Sequence, residues 1–150
     1  GSNVINASGR LTTALSTVAL IAARLQMKGF RDDRGGFIEN EADTLIIPHD
    51  LEATAFEITE SMGIPDDVTN AANWNRGRYK VIPWLYLTDV NNWYLADMAQ
   101  LKSNLYWFER LPYELAMVED FDSLIGKWRL YARHGCGWKD WRPILGAIVS

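Results

Sequence analysis

Cysteine occurs once in this sequence, at Cys136, so an internal disulfide is excluded and the usage fits a reducing compartment. Basic residues are outnumbered, 15 Lys and Arg against 19 Asp and Glu, which gives a formal charge of -4 and a pI near 5.1. The chain therefore lacks the basic footprint on which groove-reading nucleic-acid binding depends. The most apolar run, Val18 to Ala23, is bounded by Ser16-Thr17 and Arg24, far short of the roughly 20 residues that span a bilayer. Gly1-Ser2-Asn3 offers neither the charged start nor the apolar stretch of a secretory signal. Gly1-Ser2 reads as a tag-cleavage scar, residues 1–10 as scar and linker, and the acceptor triplet Asn6-Ala7-Ser8 as coincidence. Phosphate-binding fingerprints are missing too. Neither Gly35-Gly36 nor Asn75-Arg76-Gly77-Arg78 matches a Gly-rich loop, and there is no G-x-S-x-G elbow, internal repeat or low-complexity tract.

Apolar and aromatic residues, by contrast, are plentiful: 48% hydrophobic, with seven Trp, six Tyr and five Phe in 150 residues. That composition argues against disorder and predicts one globular domain with a real core. The best punctuated stretch is Ala42 to Gly63. Thr44 to Ile47 is a short apolar, partly β-branched run suited to a buried strand, and Pro48, lacking an N–H, stops it. Leu51, Ala55, Ile58 and Met62 then recur at helical spacing, with Glu52, Thr54, Glu57, Thr59 and Glu60 on the other face. His49 or Asp50 starts this helix, and Gly63 with Pro65 ends it.

Upstream, Ser8 or Thr12 is positioned to cap a first helix running to Lys28, with Leu11, Leu15, Val18, Ala22 and Leu25 as its stripe. From Val18 onward Leu20, Ala23 and Met27 make a second face apolar. Such a helix is buried in a core, between two layers or against another subunit. Phe30 to Phe37 reads as a solvated turn. Asp32 and Asp33 match no calcium-loop spacing. Ile64 to Gly77 is polar and aperiodic, a loop longer than the roughly 12 residues usual in a compact domain. Trp74 near its end is expected to dock on the domain or on a neighbour. The second half is predicted β-rich: Arg78 to Leu87 with Pro83 demoting its middle, Trp93 to Ala96, Leu105 to Arg110, Tyr113 to Val118, a turn at Asp120 to Ser123, and Lys127 to Trp141. In that last strand Trp128, Leu130, Ala132, His134, Cys136 and Trp138 share one face, with Arg129, Tyr131 and Arg133 on the other.

Candidate chemistry is thin. His134 and Cys136 share a face, as metal ligands or a nucleophile and its base would, but further ligands are missing locally and His49 opens a helix. Glu114, Glu119, Asp120 and Asp122 could supply an acid/base pair, yet nothing fixes their separation, and a solvated turn explains them better. The tryptophans at 74, 84, 93, 107, 128, 138 and 141 could form a stacking platform; core and subunit-interface packing explains them better. No catalytic, cofactor-binding or metal site follows, and no cofactor is implied.

The order of elements carries a resemblance. The helix LTTALSTVALIAARLQMKGF, then RDDRGGFI, TLIIPHDLEATAFEI, the polar loop, NWNRGRYKVIPWLYLTDVNNWYLAD and the closing GCGWKDWR resemble the C-terminal part of tailed-bacteriophage major capsid (head) proteins of the Hong Kong 97-like fold, from about Leu11 to Ile148. The resemblance implies an α+β fold, with residues 11–77 largely in the axial domain and the β-rich 78–150 in the axial or peripheral domain. The sequence departs from such subunits in one respect: their N-terminal arm, extended loop and spine helix do not fit ahead of Leu11, so the chain is expected to be a truncated or trimmed capsid-subunit fragment. It further implies a structural, non-enzymatic protein of phage or prophage, made in the bacterial host cytoplasm and resident in the virion. Copies of it would assemble into five- or six-fold capsomers and an icosahedral shell enclosing DNA without sequence-specific binding and without a membrane. On that mapping Asp66, Asp67, Asn70, Asn73, Trp74 and Arg76 are the subunit-interface candidates. Encapsulin-like nanocompartment shells share this fold and are the alternative. An aromatic-rich carbohydrate- or peptide-binding module, which needs two or three Trp exposed on one sheet face, is the other, and a small hydrolase built on His134, Cys136 or the acidic turn is a third.

Helix-face assignments can be tested one residue at a time. Ile58→Asp buries an unpaired charge and is expected to unfold or strongly destabilise the chain, whereas Asp67→Ala leaves folding unchanged. Thermal midpoints decide this, and equal midpoints for Ile58→Asp and the parent would show the face to be wrong.

Overall fold

The computed structural model describes residues 10–63 and 71–149. In chain order its elements are β1 (Arg10–Leu11), α1 (Thr17–Lys28), β2 (Thr44–Ile47), a 3-10 turn (His49–Leu51), α2 (Glu52–Glu60), β3 (Lys80–Pro83), β4 (Trp93–Ala96), α3 (Met98–Asn104), β5 (Leu105–Asp120), β6 (Ile125–Trp138) and β7 (Ile144–Ala147). The mixture of helix and strand is the α+β class expected. The chain divides into two compact units, Gly1–Lys102 with Asp140–Ser150, and Ser103–Lys139.

The first unit is built on a five-stranded sheet in the order β1-β7-β4-β2-β3. β2 lies parallel to β3, and β4 runs antiparallel to both β2 and β7. A parallel pair needs a long crossover, and the turn-plus-helix His49 to Glu60 begins the one between β2 and β3. Leu45, Leu95 and Leu145 stand in register across β2, β4 and β7, all fully buried. Trp93 and Ala147, paired in the same way, extend that row. Ala19, Leu20, Ala23 and Met27 of α1 join Ala55 and Ile58 of α2 over this face in one apolar cluster. Both helices therefore form a single layer on one side of the sheet. The Trp93 indole N–H is satisfied by the Thr13 carbonyl at 3.0 Å.

α1 starts later than expected, and on a different face. Ser16, extended in backbone, caps it by accepting from the Ala19 N–H at 3.2 Å. Thr12 is not helical, and Leu11 pairs with β7 instead, its carbonyl accepting from Ile148 N–H at 2.8 Å; Ser8 lies outside the described residues. Of the stripe predicted to be core, Leu15 is buried and Leu11 packs against the core, but within the helix its members lie on the solvent side: Val18 is 77% exposed and Leu25 66%, and Ala22 is exposed too. Leu20, Ala23 and Met27, the second apolar face, are the ones the sheet covers. Both faces satisfy helical periodicity, so only the sheet decides between them.

α2 follows the predicted face at Ala55 and Ile58 but ends at Glu60, leaving Met62 exposed beyond it. Thr59, placed with the polar residues, is buried, its hydroxyl donating to the Ala55 carbonyl at 2.8 Å. β3 is shorter than the predicted Arg78–Leu87 and stops at Pro83, which has no N–H to continue a ladder. Two further elements, α3 and β7, went unpredicted. Asp97 explains α3: its carboxylate caps the helix by accepting from Gln100 N–H at 3.1 Å, and its second oxygen accepts from Glu41 N–H at 2.9 Å.

The second unit is a two-stranded ribbon, β5 paired antiparallel with β6. The predicted strands Leu105–Arg110 and Tyr113–Val118 are one strand, and the Leu111-Pro112 break is a register irregularity between Glu109 and Glu114. β6 begins and ends slightly earlier than the predicted Lys127–Trp141.

The reassigned face of α1 has a direct consequence. Leu20→Ala is expected to cost about 2–5 kcal/mol of stability, while Val18→Ala and Leu25→Ala each change it by about 0.5 kcal/mol or less. Urea unfolding of the dilute protein measures both.

Candidate interaction surfaces

Among the described residues no group of three or more His, Cys, Asp or Glu could hold a metal ion, and no helix is long and apolar enough to cross a membrane. His134 and Cys136 do share a face of β6, as the alternation predicted. There the imidazole stacks on Trp107, centroids 4.6 Å apart, and Cys136 stands opposite Trp107 in an exposed position. His49 pairs instead with Glu52 at 3.8 Å. The acidic turn serves as a clasp. Hydrogen bonds from Ser123, from Lys127 and from the backbone at Asp122 hold the Asp120 carboxyl below its ordinary pKa. Lys127 Nζ lies 3.3 Å from that carboxylate, and Leu124 closes the turn at φ 53, a left-handed backbone conformation that glycine would adopt more easily. Elsewhere Arg142 is held above its ordinary pKa, chiefly by its hydrogen bond to Asp33 at 2.5 Å and then by Asp140 at 3.2 Å.

What the structure offers is surface. The β5–β6 register brings Leu105 with Trp138, Trp107 with Cys136, Leu115 with Leu130 and Met117 with Trp128 onto one face. Leu111 with Arg133, Ala116 with Arg129 and Val118 with Lys127 lie on the other. The first side is mostly apolar, interrupted by Glu109 with His134; the other is mixed, with Arg133, Arg129 and Lys127 beside Tyr106, Phe108 and Tyr131. Trp107, Trp128 and Trp138 are all exposed, so of the core and subunit-interface packing expected for the tryptophans the core part does not hold for these three. Of the seven tryptophans Trp93 alone is fully buried. Three exposed indoles on one sheet face also meet the exposure that a stacking platform requires. The aliphatic Leu105, Leu115, Met117 and Leu130 between them suit burial against protein better than stacking on sugars.

The second surface surrounds Trp74. Asn73, predicted as an interface residue, is buried and does structural work: its amide donates to the carbonyl of Ile58 at 2.7 Å and of Ser61 at 3.3 Å, capping the end of α2. Its oxygen accepts from Asn75 N–H at 3.0 Å. Trp74 is therefore presented from a fixed backbone, half exposed. Arg78 donates from Nε to the Trp74 carbonyl at 2.7 Å and lays its guanidinium 4.1 Å from the ring centroid; Arg24 approaches the same ring at 5.3 Å. Together with Ile21, Leu25 and Lys28 these residues line a groove of about 480 Å³. Arg76 is exposed nearby in the chain, and Asp66, Asp67 and Asn70 lie outside the described residues. Arg24, Lys28 and Arg78 were not singled out from the sequence, although the i, i+4 spacing of Arg24 and Lys28 at the end of α1 was a readable sign.

The model of a protein family described as "Phage capsid protein" matches residues 1–146. No curated protein matches the chain.

The division of labour in the Trp74 loop can be measured. Asn73→Ala leaves α2 carbonyls unpaired and is expected to cost about 1–3 kcal/mol, whereas Arg76→Ala changes stability by about 0.5 kcal/mol or less. Denaturant midpoints of the two variants, read side by side, check this.

Proposed function

From the chain's membership of the phage capsid protein family, established by the match over residues 1–146, we propose that its work is repeated contact with copies of itself in a Hong Kong 97-like shell. The chain is a structural capsid subunit, a major capsid protein of the phage head. In our reading the first unit, with its mixed sheet and single helical layer, serves as the axial element around a five- or six-fold capsomer axis. β3, β4 and β7 belong with it, because they share its sheet with β2. The ribbon Ser103–Lys139 serves as a peripheral element.

Several features support this reading. A two-stranded ribbon is marginal in water by itself, and one with Trp107, Met117, Trp128 and Leu130 on a single exposed face calls for a protein partner. Aromatic and Arg side chains are the groups that concentrate binding energy at interfaces, and Trp74 with Arg24 and Arg78 against its ring has that composition. Subunits that join through two different patches form rings where the rotation between neighbours closes. The net charge of -4 leaves the wall without general attraction for DNA. The shell would then enclose DNA in the virion without sequence-specific binding, after subunit synthesis in the host cytoplasm.

Light scattering over a wide concentration range, with negative-stain microscopy of the same samples, tests the reading. Rings or shells are expected to appear as concentration rises. Particles that stay monomeric at every concentration would overturn it for this chain.

A further inference from the structure

Two surfaces of the first unit are unpartnered and opposite in charge. The Trp74 groove is walled by Ile21, Leu25, Trp74 and the buried Arg24 and rimmed by the exposed Lys28 and Arg78. One carboxylate, Glu41, serves both Arg24 and Lys28, the latter at 3.0 Å, so the rim keeps a positive excess. Two guanidiniums lie against the Trp74 ring, at 4.1 and 5.3 Å from its centroid, and its backbone is fixed through Asn73, so little order remains to be imposed on binding. The outer face of α2 has the complementary character. Glu52, Glu57 and Glu60 are exposed there around Phe56, itself 65% exposed. Lys80 beside the Glu52–Phe56–Glu60 edge is a cation facing it, and the His49 imidazole lies 3.8 Å from Glu52.

We infer that the α2 face of one subunit docks in the Trp74 groove of the next, with Phe56 entering between Leu25 and Trp74 and the glutamates meeting Arg78 and Lys28. The inference rests on the capsid reading and names the surfaces that carry it. A second copy is the occupant because this family assembles with itself and because the chain supplies both halves of the complementarity. It also accounts for the exposed Leu25, which no element of its own unit covers. Groove and helix face are different patches, so the contact is heterologous and passes from subunit to subunit.

Charge reversal in two variants gives a test that folding defects cannot mimic. Lys28→Glu with Arg78→Glu makes groove and helix face both negative; Glu57→Lys with Glu60→Lys makes both positive, and the new lysines suit the C-terminal end of α2. Each variant alone is expected to associate at least about ten-fold more weakly than the parent, since like charges now meet at every contact. Mixed in equal amounts the two should assemble again, because each groove then receives the opposite helix face. Closed rings of the mixture should contain even numbers of subunits. Light scattering reads all three samples. A parent that assembles beside variants that assemble equally well alone, or that fail to recover on mixing, would overturn this pairing and leave the capsid reading standing. A parent that never associates would overturn both.

Discussion

The packed row of Leu45, Leu95 and Leu145 across three strands is what the first unit depends on. These side chains present one apolar face, and helices α1 and α2 are held over it by what they bury there. Everything that exposes a surface follows from that choice. Because Leu20, Ala23 and Met27 face the sheet, Val18 and Leu25 must face away, and because Ala55 and Ile58 face the sheet, Phe56 and the glutamates must do the same. A helix has one side to give to a core. Polar ties then fix the edges of the layer: Asp97 holds Glu41 and starts α3, and Asn73 fastens the segment after the polar loop to the end of α2.

Much of this was legible in advance where local chemistry and burial agree. Thr44–Ile47 is the strand that its β-branching and Pro48 announced, and Ala55 with Ile58 is the helix face that periodicity gave. β6 alternates as read, with His134 and Cys136 on one side. The capsid resemblance, carried by the order of these elements, agrees with the family match. Periodicity failed at α1 because two overlapping stripes are both apolar, and no local rule ranks them. It failed at β7 because Ile144–Ala147 is four residues long and contains Gly146, so its strand character comes from pairing with β4 and β1. Thr59 was misplaced because its hydroxyl is satisfied within its own helix, which lets a polar residue enter the core at little cost.

The candidate site divides along the same line. Trp74 was identified as an aromatic that needs cover, and composition alone supports that. Its cationic surroundings were not, since Arg24 is some fifty residues away in sequence, and helical spacing does not reveal what a helix end will meet across the fold. Asn73 was grouped with the exposed loop for its polarity, but a side-chain amide with two donors is also well suited to cap a helix whose C-cap residue, Ser61, is extended.

The tryptophans connect the fold with the function. Within a single chain, Trp107, Trp128 and Trp138 on an exposed ribbon are a solubility hazard, and a monomeric protein would be expected to carry charged residues there. A shell subunit has different requirements. Its surfaces are waiting for neighbours, and aromatic side chains give large buried area for few frozen torsions. The exposed indoles of the ribbon, the cation-flanked Trp74 and the uncovered stripe of α1 then have a common physical cause. The chain carries more apolar surface than its own layers can bury, and on the function proposed above association between copies would remove the remainder from water.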